Sequence, residues 1–207
     1  MRGVMTLAEK FIFIVDHTPR ALLAMVLFVA GGACAMPVLE RRIGWLMASA
    51  DWFARLITSV LRRKPSVPAL ALFIFCFNGT AMFVYMMTGL IPGAPFVVAF
   101  LTGLNVALGA VLARARMPAP PSTAPRPSSA VRVCATLTFL LELPSFWYTI
   151  AMGSALHPSV LGLIQGQPVA PLLVPMEAYA TVILPVLAVS AAVEAYAVRS
   201  TLHFPEA

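Results

Sequence analysis

Charge is what this chain has least of: across 207 residues Asp, Glu, Lys and Arg together make up 11%, eight acids against fourteen bases. Soluble domains carry about a quarter charged residues. With 60% hydrophobic residues beside it, that scarcity excludes a soluble globular domain and defines an integral membrane protein. Alternating apolar and polar segments of period two are missing as well, which excludes a transmembrane β-barrel. Cysteine is scarce. Cys34, Cys76 and Cys134 lie in or beside apolar runs with no CxxC, so neither a disulfide framework nor a zinc site is indicated, and they read as small packing residues. There is no HExxH, GxSxG, P-loop or GxGxxG, so neither catalysis nor a cofactor is expected. The eleven methionines form no MxxM ladder, which argues against copper transport.

The sequence does hold a series of apolar stretches, each near the roughly 20 residues that cross a hydrocarbon core about 30 Å thick. The fold class that follows is all-α, a polytopic helical membrane bundle. Candidate spans cover residues 21–39, 67–90, 96–112 and 133–153, with a fifth from 171 or 175 to 198. The first contains Gly31, Gly32 and Pro37, which are expected to weaken or kink it, so it spans fully or only dips into the bilayer. Before it, residues 1–20 mix charges with the apolar patch "FIFIV" and read as a helix lying at the membrane surface. Cleavage after the small-residue "ACA" at 33–35 would send "ERR" and "LRRK" across the membrane, against the positive-inside rule, so the leader is expected to stay.

Between the first two spans, "ERRIGWLMASADWFARLITSVLRRK" places Arg41, Gly44, Ala48, Asp51, Arg55, Thr58 and Arg62 at steps of three and four, one polar stripe on an apolar helix. Basic ends with interfacial tryptophan describe an amphipathic helix in the headgroup plane, anchored by Trp45, Trp52, Arg41, Arg55 and Arg62. The organisation is thus a segment 1–66 holding surface helix, first span and interfacial helix, a four-span core at 67–199, and a tail at 200–207. Within the core, "IPGAP" reads as a tight turn. The segment 114–132, rich in Pro, Ser and Ala with four arginines, reads as a disordered loop, and 154–170 as an external loop or re-entrant segment.

Most basic residues fall in 40–64, 114–132 and from 199 onward, whereas 91–95 and 154–170 have no Lys or Arg. By the positive-inside rule the basic segments and the C-terminus are expected on the cytoplasmic side. Five full spans would put the N-terminus outside; a first span that only dips in would put it inside. The net charge of +6 belongs to this topology and to anionic lipid, with no nucleic-acid partner implied.

Within the spans the polar residues are few and spaced. Thr138, Glu142, Ser145 and Thr149 share one face of the fourth span, and Ser190 and Glu194 lie one turn apart on the fifth among alanines. A carboxylate facing lipid costs at least about 2.5 kcal/mol. Glu142 must therefore meet donors, or be protonated, or both, and the candidate donors are Asn78 on the second span and Thr102 and Asn105 on the third. Two functions fit such a set: a satisfied polar network holding helices in register, or a conduction or proton-coupled path. Glu177 lies about 100° round the helix from Glu194 and need not join it.

Three stretches together resemble the stage II sporulation protein M family: "FNGTAMFVYMMTGLIPGAPFVVAFLTGLNVALGA" (77–110), "LELPSFWYTIAMG" (141–153) and "LPVLAVSAAVEAYAVR" (184–199). The likeness covers roughly residues 70–199 and is densest at Ala191, Ala192, Glu194, Ala195 and Tyr196, with Asn78, Asn105, Gly109 and Glu142 at the other motif positions. Two departures stand out: "TFLL" replaces the His-Gly pair usual before the fourth-span Glu, and Asn78 is single where the family has a pair. The resemblance implies a non-enzymatic multi-span protein acting as scaffold or partner subunit of an envelope assembly, the namesake being linked to peptidoglycan-remodelling partners during engulfment. The partners it implies are the lipid bilayer and other membrane or envelope proteins, with a second copy of the chain as a further candidate. The competing expectation is a small permease or channel subunit in which Glu142 and Glu194 bind a cation or carry protons.

Overall fold

The computed structural model describes residues 6–116, 128–166 and 170–201, and every regular element among them is helical. Five helical stretches are long and apolar enough to cross a membrane, Thr18–Arg41, Val67–Leu90, Ala94–Leu112, Ser129–Ile164 and Leu172–Thr201. The chain is an all-α bundle and a multi-pass membrane protein.

Helix α1 (Leu7–Asp16) starts with a reciprocal cap: the Glu9 amide donates to Thr6 Oγ1 while the Thr6 amide donates to Glu9 Oε2. Those bonds hold the exposed Glu9 carboxyl below the usual carboxylate range. The first span is α2 (Thr18–Ala33) followed by α3 (Ala35–Arg41), the two meeting at Cys34. Helix α2 runs on through Gly31 and Gly32 and gives way at Cys34, so the interruption expected of the first span falls between the glycine pair and Pro37 rather than at the glycines. Their place in the bundle explains why. A Cβ on Gly31 would lie 2.0 Å from the Phe100 carbonyl oxygen, and one on Gly103 would lie 1.9 Å from that of Phe28. Neither helix has room for a methyl there, so the two backbones touch. Pro37 sits in the first turn of α3, where its missing N–H has no helical partner to lose.

Helix α4 (Gly44–Arg62) follows the left-handed Arg42, at φ 50°. It is the amphipathic element expected from the stripe, and it lies against the next span but one rather than standing apart. Leu46, Ala50 and Ala54 are buried on that side, and Trp45 and Trp52 are 69% and 63% exposed. Helix α5 (Val67–Met87) ends in a short 3₁₀ turn, and Gly93, at φ 77°, makes the tight reversal into α6 (Ala94–Arg116). After the undescribed 117–127, the Ser128 hydroxyl caps α7 (Ser129–Gly153) by accepting from the Val131 amide. Helix therefore reaches into both ends of the segment read as a loop; its middle lies outside the described residues.

The connection after α7, expected as an external loop or re-entrant segment, likewise contains a helix, α8 (Leu156–Ile164). The last span comprises α9 (Ala170–Ala178), one π turn at Tyr179–Ile183, and α10 (Leu184–Thr201). Pro185 has no N–H for the Thr181 carbonyl, and the widened turn lies directly before it. Tyr179 uses this turn to donate its hydroxyl proton to the Gly79 carbonyl of α5. Residues 202–207 of the predicted tail are outside the described residues.

Packing runs round the bundle as α4 on α6, α6 on α2, α2 on α7, α7 on α10 and α10 on α5, with α5 also against α7. Helix α1 folds back onto α9. The hairpin partners α5 and α6 are neighbours in sequence and scarcely meet beyond their turn. The space between them is where the polar residues gather.

Candidate functional site

A cavity of about 590 Å³ opens between α5 and α6, walled by α4 on one side and by α7 and α10 on another. Its lining is mostly aromatic and aliphatic, including Phe53, Phe73, Phe77 and Phe146. The polar exceptions are Ser49, Asn78, Thr102, Asn105, Glu142 and Glu194. Five of those six, all but Ser49, were candidates from the sequence.

The centre of the group is a contact among three helices. Asn78 Nδ2 on α5 donates to Glu142 Oε1 on α7 at 2.9 Å. The Glu142 carboxyl also meets that of Glu194 on α10, and Ser190 lies beside it, one turn before Glu194. A carboxylate offers only acceptors, so a hydrogen bond between two carboxyls needs a proton on one of them. The Ser190 hydroxyl is fully buried and has no hydrogen bond of normal geometry, although it faces Glu142. A further space of about 310 Å³ opens on the other side of the same two glutamates, toward Ala135 and Thr138.

The third-span residues do different work. Asn105 was expected as a donor to Glu142; instead its Oδ1 lies 2.7 Å from the Ser49 hydroxyl of α4. Ser49 is also 2.9 Å from the Leu46 carbonyl, so its single proton serves one acceptor at a time. Thr102 lines the cavity one helical turn before Asn105. Ser145 is the correction on α7. Its hydroxyl donates to the Leu141 carbonyl at 2.7 Å, and Thr149 likewise donates to Ser145, so both satisfy their own helix instead of joining helices. Hydroxyls short enough to reach the carbonyl four residues back do so when no closer acceptor faces them.

Among the interfacial residues, Arg55 is tied to Asp51 through Nε at 2.7 Å, as the i, i+4 spacing required. Arg41 and Arg62 stand exposed in the last turns of α3 and α4. Trp52 lines the cavity while most of its ring stays exposed, whereas Trp45 is on the outer surface. Sequence reasoning passed over Ser49, whose partner lies 56 positions away, and the pairing of Lys10 with Glu177. Lys10 Nζ lies 3.6 Å from Glu177 Oε2 and its side chain is only 8% exposed, joining α1 to α9. No cluster of three or more His, Cys, Asp or Glu that could hold a metal occurs among the described residues.

Neither a protein-family model, nor a curated protein, nor a solved structure matches this chain.

Proposed function

We propose that the chain is a non-enzymatic scaffold or partner subunit of an envelope-associated complex in a bacterial inner membrane, as its resemblance to the stage II sporulation protein M family implies. The observation that carries this reading is the Asn78–Glu142–Glu194 contact, which joins α5, α7 and α10 through side chains that lipid could not satisfy. A framework of this kind presents a fixed outer surface to partners, and the basic α4 and C-terminal ends lie on the cytoplasmic side in this reading. Glu142→Gln keeps the hydrogen-bonding capacity. It should leave folding, localisation and co-purification of partners in mild detergent near the parent level. Loss of partners from a Glu142→Gln protein that is folded and correctly localised would sink the reading.

A second reading, a small permease or channel subunit, is favoured by one specific observation: both glutamates border a cavity instead of being sealed between helices. Its test is cation or proton flux into proteoliposomes. Flux that collapses in Glu142→Gln while the bundle stays folded would select it over the scaffold.

A further inference from the structure

The cavity between α5 and α6 has properties that a joint between helices does not require. Its volume of about 590 Å³ falls within the range of small-molecule sites, roughly 300–1,000 Å³. Aromatic rings from three helices, Trp52, Phe53, Phe77, Tyr85 and Phe146 among them, face it, joined by Phe28 from the first span. No Lys, Arg or His lines it among the described residues. The two carboxyls in contact therefore have no cationic side chain beside them in that lining.

Ser190 holds the pair in place from behind: its fully buried hydroxyl faces the Glu142 carboxyl one turn before Glu194 and does not itself line the cavity. An inorganic cation would keep water or call for several oxygen ligands, and a mainly apolar wall supplies few. A cation over aromatic faces is stabilised by the ring quadrupoles, and more so away from water.

We propose that this cavity binds a lipophilic organic cation, its apolar body among the aromatic rings and its positive centre at the Glu142–Glu194 pair. Aromatic walls and paired acids act together: the rings select bulk and the carboxyls select sign. The site stands independently of the scaffold reading, because a subunit that holds partners can also hold a small ligand.

The test uses the full chain in nanodiscs of zwitterionic lipid and equilibrium dialysis with radiolabelled tetraphenylphosphonium. Tetraphenylborate, of nearly the same shape and opposite charge, is the control. The expected result is saturable binding of the cation in excess of empty nanodiscs, with none for the borate. Glu142→Gln and Glu194→Gln should each weaken binding at least about tenfold. Ala81→Phe, which fills the cavity and leaves both acids in place, should abolish it, so a glutamate variant that fails to fold does not remove the test. Equal binding of both probes would mean a generic apolar void open to lipid tails and would overturn the proposal. So would absence of saturable cation binding to the folded parent, or parent affinity in the Ala81→Phe protein.

Discussion

The Asn78 amide and the Glu142 carboxyl meet at 2.9 Å across α5 and α7, sixty-four positions apart in the chain. Both are half-buried beside a largely apolar cavity, so each satisfies a group that the other's absence would leave short. Asn78→Ala removes the donor and leaves Glu142 Oε1 unsatisfied. Interhelical hydrogen bonds in membranes average about 0.6 kcal/mol, and an orphaned buried partner adds to that, so a loss of about 1 kcal/mol is expected. Asn78→Asp should cost more, because it sets a third carboxyl against two. Thermal unfolding in one detergent, followed by Trp fluorescence, ranks the parent above Asn78→Ala and Asn78→Ala above Asn78→Asp. Equal midpoints for all three would remove the contact from the account of stability.

The α2–α6 seam makes a steric prediction. Gly31→Ala would place a methyl 2.0 Å from the Phe100 carbonyl oxygen, and Gly103→Ala one 1.9 Å from that of Phe28. Backbone cannot yield as a flexible side chain does. Each change should cost about 1–3 kcal/mol, the usual range for overpacking. Gly32→Ala is the internal control on the same helix, since its added methyl would meet nothing nearer than 3.7 Å. Midpoints that fall for Gly31→Ala and Gly103→Ala while Gly32→Ala stays near the parent would verify the seam.

These two seams mark how far the sequence could be read. Span positions follow from apolar length alone, because the hydrocarbon core dictates it, and the polar face carrying Glu142 follows from helical period. Asn78 as its donor was legible for the same reason: few amides occur in the spans. What periodicity cannot supply is which faces meet. Gly31 reads as a helix weakener until the Phe100 backbone is seen against it, and Ser145 looks like a network member until its hydroxyl is found on its own helix. The partnership of Asn105 with Ser49 depends on α4 folding back onto α6, which neither segment's own pattern encodes.

Helix α4 gives a prediction about exposure. One hydroxyl, at Ser49, joins it to α6, with Ala50 and Ala54 packed close beneath. Ser49→Ala removes the link for about 0.5–1.5 kcal/mol, the net worth of an ordinary hydrogen bond. The loss should be felt locally, as faster tryptic cleavage after Arg55 and Arg62, with little change in global unfolding. Ala50→Leu should accelerate the same cleavages further by levering the helix off. Unchanged cleavage in both variants would show that α4 is held by something other than this seam.

His17 supplies a pH dependence outside the spans. Burial pulls its imidazole below the ordinary value; the Phe13 carbonyl, 2.7 Å from Nδ1, opposes that, Arg20 adds to the lowering and Asp16 resists it. The folded value lies below the unfolded one, so the unfolded chain takes up the proton first. The associated stability is fully present above about pH 6.5 and is lost as pH falls through the folded value. His17→Gln should flatten that part of the profile. The comparison is the difference between parent and variant midpoints from pH 8 down to 5, and a constant difference would mean that His17 does not titrate differently on unfolding.

Lys10 and Glu177 test whether α1 is docked or merely adjacent. Their 3.6 Å separation brings a nearly buried ammonium to a carboxylate that is 38% exposed, and Glu177 Oε2 itself has no hydrogen-bond partner. Glu177→Ala strands the lysine charge on the α9 side and should destabilise the α1 docking more than Lys10→Met does, because the freed glutamate can still reach water while the freed lysine cannot. The double change Lys10→Met with Glu177→Leu replaces the pair by apolar contact and should recover most of the loss, as buried ion pairs often do. Hydrogen exchange in α1 reads the docking directly: fast in Glu177→Ala, intermediate in Lys10→Met, and close to the parent in the double variant. Exchange equally fast in the double variant would mean that the charge attraction itself, rather than the avoidance of a stranded lysine, holds the helix in place.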